Sequence, residues 1–221
     1  MIRHFQDTTA FTQGVAPDAS RYGGAGGHAH GTAPLAGAEP LACRLDFLIG
    51  ALPVERLELD PTLLRAMRRL DPRRRLVLRR IRIAHGASVD LIALPYGFEN
   101  DPARLAALRN LRSRRQRLGF PLRIIREAVV DREPRLSNAR LIHESAGFHP
   151  SRPATERLLR HLFIAGGCDS LRSCLVPLRG EVDPACAVLA LVGSNRLAVD
   201  LDQPLGPASP VRRLPNRVTQ G

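Results

Sequence analysis

Apart from seven histidines, every basic side chain in this sequence is an arginine: there are 33, with no lysine anywhere in 221 residues. Arginine is a permanently charged planar donor whose fork matches a phosphate, and it does not serve as a proton-transfer base. The arginines are not spread evenly. Between Pro61 and Glu127, 17 of them stand against five acids (Asp71, Asp90, Glu99, Asp101 and Glu127), so this segment holds the whole formal charge of +12. An arginine-rich composition with solvated surfaces would raise the count but would not concentrate it. A concentrated basic segment is the footprint of a polyanion partner, because covering phosphates releases condensed counterions. Double-stranded DNA is the expected partner. The expected contacts are Arg79, Arg80, Arg82, Arg112, Arg114 and Arg115, with Arg212 and Arg213 from the basic C-terminal tail.

Other chemistry finds little to stand on. A GxxxxGK[ST] phosphate loop is impossible without lysine, and Ser145-Ala146-Gly147 is not a GxSxG elbow. His143-Glu144 has no second histidine at helical spacing, and His28 and His30 sit on a Gly/Ala-rich stretch where any metal would be held weakly. Cys43, Cys168, Cys174 and Cys186 form no CxxC pair, which reads as a reduced, cytoplasmic protein without a zinc site. No apolar run approaches the ~18 residues of a membrane span, and MIRHFQDTT does not open a secretory signal. Hydrophobic residues at 44% and charged residues at 24% describe a globular chain with a core, although aromatics are only 4%.

The elements that must position these arginines can be read from pattern. Residues 1–40, with GGAGGHAHGTAPLAGAEP, have no periodic apolar face and read as a disordered arm. LACRLDFLIGAL places Leu41, Leu45, Leu48 and Ile49 on one helical face, and Asp60-Pro61 starts a second helix through Leu63, Leu64 and Met67. RLVLRRIRIA and VDLIALPYG read as a hairpin turning at His85-Gly86-Ala87-Ser88. Asp101-Pro102 starts a basic helix that ends at Gly119, residues 120–125 form a third strand, and a helix from Leu136 to Glu144 closes an α/β domain over 41–147. After the Gly/Pro linker at 147–153, the segment 148–221 offers three short helices (153–165, about 170–178 and 184–193). An alternating strand, Leu197 to Leu201, and a basic Pro-rich tail with Arg212, Arg213 and Arg217 complete it, the outline of a winged helix.

The hairpin VDLIALPYG, the basic helix and the run RQRLGFPLRIIREAVVDREPRLSNARLIHE resemble the TnsA-type endonuclease subunit of heteromeric transposases. Gly119, the strand Leu122 to Arg126 and Arg135-Leu136-Ser137-Asn138 carry the likeness in the first part, and SLRSCLVPL with AVLALVGSNRLAVDLDQPLGPASPV carries it in the second. The resemblance is diffuse and covers roughly residues 41–213. It implies a restriction-endonuclease-like, PD-(D/E)xK mixed sheet flanked by helices, followed by a small winged-helix domain. It also implies carboxylates and a lysine around Mg²⁺, which activates water and stabilises the charge of the transition state.

Set on this sequence, that implied centre is degenerate. Asp90 takes the acidic position and Asp46, in RLDFL, the helix acid, while Ile92 stands where the lysine belongs. Arg79, Arg80, Ile81 and Arg82 fill the strand that should supply an aspartate. Asp90 is then either a metal-holding carboxylate or a strand acid paired with an arginine, and Mg²⁺ enters only in the first case. The apolar helix PACAVLALV lacks any Arg, Asn or Gln to read bases, unlike a DNA-reading winged helix. The leading expectation is a DNA-binding TnsA-like subunit with an inactive centre, partnered by the catalytic transposase subunit of the same element. The alternatives are a non-catalytic winged-helix DNA-binding or regulatory protein, and an active Mg²⁺ nuclease using Asp46, Asp90 and Glu99. Asp90→Ala is expected to leave DNA affinity the same or slightly higher.

Overall fold

A computed structural model describes residues 39–83 and 86–215. The readings made on the arm, including His28 and His30, on His85 in the turn and on Arg217 lie outside the described residues. In chain order the first elements are α1 (Leu41–Gly50), β1 (Glu55–Leu57), α2 (Pro61–Leu70), β2 (Val77–Arg82), β3 (Ser88–Leu94), α3 (Pro102–Arg117), β4 (Leu122–Arg126), α4 (Glu127–Val130) and α5 (Arg135–Ser145). They are followed by α6 (Arg152–Ile164), β5 (Cys168–Ser170), α7 (Leu171–Leu175), α8 (Pro184–Gly193), β6 (Leu197–Val199) and β7 (Pro210–Arg213).

Local chemistry sets the helix starts. Asp60, Asp101 and Asp183 each cap a helix whose first residue is proline, and their carboxylates accept from Thr62, Arg104 and the Ala185–Cys186 pair of backbone N–H groups. The cap satisfies donors that have no partner in the first turn, and proline has no N–H to satisfy. Ser151 does the same for α6 through its hydroxyl and Ala154 N–H. At the far end of α3, Gly119 takes a φ of +80°, the left-handed turn that stops the helix.

The first sheet is mixed, in the order β1-β2-β3-β4. β1, β2 and β3 are antiparallel neighbours, and β4 returns through α3 to lie parallel beside β3. Central β3 is buried at every residue from Val89 to Leu94, as a strand covered on both faces should be. α2 and α3 cover one face, with Leu63, Met67 and Leu108 against Leu78, Ile92 and Leu94. α1 and α4 cover the other, with Leu41, Leu45, Ile49 and Val130 against Ile81, Val89, Leu91 and Ala93.

The second sheet is antiparallel, in the order β5-β7-β6. Its strands pack with α6, α7 and α8 around Leu158, Leu162, Val188, Leu191 and Val211. Ala139 and Ile142 of α5 enter the same apolar cluster, and the described residues from Pro40 on form one compact unit. Two parts of the pattern reading change. The Pro-rich tail, read as a basic loop, contains the middle strand of this sheet: Pro210 occupies the first position, where a missing N–H is tolerated, and Val211 is fully buried. β1 and β5, at three residues each, are too short to show a period.

Candidate nucleic-acid interface

The two acids that the resemblance assigns to a metal centre stand on opposite faces of the first sheet. Asp46, on α1, accepts a bidentate pair from Arg79 of β2, Nε to Oδ1 and Nη2 to Oδ2, both at 2.8 Å. Arg56 Nη1 lies 3.4 Å from Oδ1. The hydrogen bonds from Arg79 hold the Asp46 carboxyl below the usual carboxylate range, against the opposing effect of burial. Asp90 projects from the other face of β3 and is 1% exposed. Its Oδ2 accepts from Arg115 Nη2 at 2.8 Å, and Arg80 Nε lies 3.4 Å from Oδ1. The other terminal nitrogen of Arg115 donates to Asp60 Oδ2 at 2.9 Å. Parity decides this separation, because Arg80 is the register partner of Asp90 while Arg79 pairs with Leu91.

Ile92 follows Asp90 on the same side of β3 and is completely buried beneath α2 and α3, with Leu78 opposite. Glu99 pairs with Arg126 at 2.7 Å on the surface. Asp46, Asp90 and Glu99 thus each carry a guanidinium where a cation would sit. The first two cannot share an ion through the sheet, so this set does not suit Mg²⁺, which needs convergent oxygen ligands. Among the described residues no group of three His, Cys, Asp or Glu side chains is arranged to hold a metal ion.

Pattern reasoning missed a further polar cluster beyond the C-terminal ends of the parallel strands β3 and β4. Arg44 of α1 bonds both Glu127 and Asp131. The remaining oxygens of these acids accept from Tyr96, its N–H to Glu127 Oε2 at 2.6 Å and its hydroxyl to Asp131 Oδ2 at 3.3 Å. Desolvation and the neighbouring Asp131 charge raise the Tyr96 phenol above its ordinary value. The partners of Arg44 lie 83 and 87 positions along the chain, so no local signal could have joined them.

Of the arginines expected to meet phosphate, several are committed within the fold. Arg79 is held by Asp46 and Arg80 is half-buried beside Asp90, while Arg82 is exposed and pairs with Glu55 at 2.9 Å on the surface. Arg115 is 7% exposed, its guanidinium spread between Asp60, Asp90 and the ring of Phe120, 5.1 Å away. Arg112 is half-buried, whereas Arg114 is exposed. In the second sheet Arg212 is exposed, and Arg213 lies 5.9 Å above the Phe163 ring.

The available charge lies elsewhere on the same layer. Arg68 and Arg69 on α2, Arg73, Arg74 and Arg75 after it, and Arg109, Arg114 and Arg117 on α3 are exposed, and the salt bridges among the described residues include none of them. Unpaired guanidinia keep their full field, and their forks remain open to phosphate oxygens. α8 does not join them: Ala187, Val188, Ala190, Leu191 and Val192 are buried in the core. Among the described residues no helix is long and apolar enough to cross a membrane. Compared with models of protein families, with curated proteins and with solved structures, the chain matches none.

Proposed function

We propose that this protein binds double-stranded DNA through the α2–α3 layer and does not cut it, as a TnsA-like subunit of a heteromeric transposase whose nuclease centre has lost its chemistry. Its protein partner is the catalytic transposase subunit of the same element, and both act on DNA in the cytoplasm. The observation that carries the DNA reading is the set of exposed, unpaired arginines on α2, the turn after it and α3. Their charge is sequence-independent in effect and gives affinity that falls steeply with salt. The mixed sheet flanked by helices supports a restriction-endonuclease-like core. The loss of cleavage is supported by the guanidinia on Asp46 and Asp90, and by Ile92 buried where the lysine belongs.

A second reading, a winged-helix DNA-binding or regulatory protein without a transposition role, draws on the order α6-β5-α7-α8-β6-β7 with its three-stranded β5-β7-β6 sheet. Burial of α8 leaves that unit without a conventional base-reading helix, so DNA contact rests with the first sheet's helices in both readings. One assay tests the shared part. The full chain, mixed with supercoiled plasmid in Mg²⁺ or Mn²⁺, is expected to retard it without forming nicked circles, alone or with the transposase encoded beside it. Nicking that disappears in Asp46→Asn would restore the enzyme and overturn the reading. Enhanced transposition by the partner subunit when this chain is added separates the first reading from the second.

A further inference from the structure

We propose that α3 is a recognition helix, which enters the major groove of duplex DNA and reads base edges with the row Ala106, Asn110, Ser113 and Arg117. This rests on the duplex-DNA reading above and adds sequence specificity to it. α3 has 16 residues and buries only Leu108 and Arg115. Those two are seven positions apart, two helical turns, and therefore define one inward stripe. Directly opposite runs the i, i+4, i+7, i+11 row of Ala106, Asn110, Ser113 and Arg117, all exposed. Arg114 borders this row on one side and Arg109 on the other, both exposed and without an ion-pair partner among the described residues.

The chemistry of the row suits base edges rather than phosphate alone. Asparagine can bond adenine through two groups, arginine can do the same with guanine, serine accepts either role, and alanine packs on a thymine methyl. The small residues Ala103, Ala106 and Ala107 leave the first half of the exposed face low enough for close approach to the groove floor. A helix of about 10–12 Å diameter fits a groove about 12 Å wide, and the flanking Arg109 and Arg114 then reach the two phosphate walls. α3 contains no acid to repel either wall. A-form RNA, whose major groove is too narrow and deep for side chains to read, does not fit this face.

The test selects duplexes from a random-sequence pool with the full chain, then maps guanine N7 methylation interference on the winners. A preferred motif is expected, with interference at guanines inside it. Asn110→Ala, an exposed change that favours helix, is expected to lower discrimination at one base pair about tenfold while leaving affinity for random duplex intact. Arg109→Ala with Arg114→Ala is expected to weaken all sequences alike and to flatten the salt dependence. Salt-dependent binding with no enriched motif, or an enriched motif whose guanine N7 methylation causes no interference, would overturn the recognition helix and leave the DNA-binding function standing. Tighter binding to duplex RNA than to duplex DNA would also overturn it. Absence of any duplex binding by the wild type would instead remove the function itself.

Discussion

Asp90 and Arg115 are both buried, and each neutralises the other at 2.8 Å. A buried pair of this kind adds little over a well-packed apolar pair, but removing Asp90 leaves Arg115 with Asp60 as its one carboxylate and the half-buried Arg80 without its acid. Asp90→Ala should therefore destabilise the fold by about 1–3 kcal/mol, the cost of the lost charge-assisted hydrogen bond, read as a lower urea midpoint at neutral pH. The expectation that Asp90→Ala leaves DNA affinity the same or slightly higher places Asp90 on a basic face, whereas its side chain is buried and the change acts first on stability. An Asp90→Ala midpoint equal to that of the wild type would contradict the assignment. Asp46 gives a pH dependence of definite sign. Arg79 lowers its folded pKa below the unfolded value of about 3.9, so its contribution is complete above that value and is lost as pH falls through the folded one. Stability measured against pH should lose part of its acid limb in Asp46→Asn. Parallel limbs in the two proteins would contradict the pairing.

β3 is the element on which the nuclease-like reading turns. Restoring the absent lysine by Ile92→Lys would place an ammonium at a fully buried position between Leu78 and the α2–α3 layer. The expected result is a destabilised or unfolded chain with no gain of cleavage, followed by thermal melting and plasmid nicking together. A stable variant that nicks DNA would contradict this placement of the strand. Much of this architecture was legible in the sequence because the signals are local: Asp-Pro pairs before α2, α3 and α8, the Gly119 stop, and the apolar run of β3. The strands β1, β5 and β7 were not, since three- and four-residue strands carry no period and β7 hides among prolines. The site was legible in part. The excess of arginine over 61–127 was visible, but Asp46 and Asp90 were placed together because face parity depends on a register that the sequence leaves open. Arg115 offered a readable clue: it lies two turns from apolar Leu108, the phase of the inward stripe, while Arg114 next to it does not.

At the scale of the whole molecule, net charge and available charge differ. Formal counting assigns +12 to residues 61–127. The fold then brings in Asp46, Glu55 and Asp60 from outside that segment to pair with Arg79, Arg82 and Arg115. What remains for a partner is the unpaired set on α2, the turn after it and α3. The most direct measurement of that claim is the affinity of the full chain for a duplex of mixed sequence over a range of salt concentrations. It compares the wild type with Arg68→Ala, Arg69→Ala, Arg109→Ala and Arg114→Ala combined, and with Arg82→Ala alone. Each lost phosphate contact should reduce the slope of log K against log salt by about 0.9, so the fourfold variant should fall by roughly 3 to 4 while Arg82→Ala keeps the wild-type slope. A fourfold variant with the wild-type slope, or an Arg82→Ala variant that flattens it as much, would contradict the account.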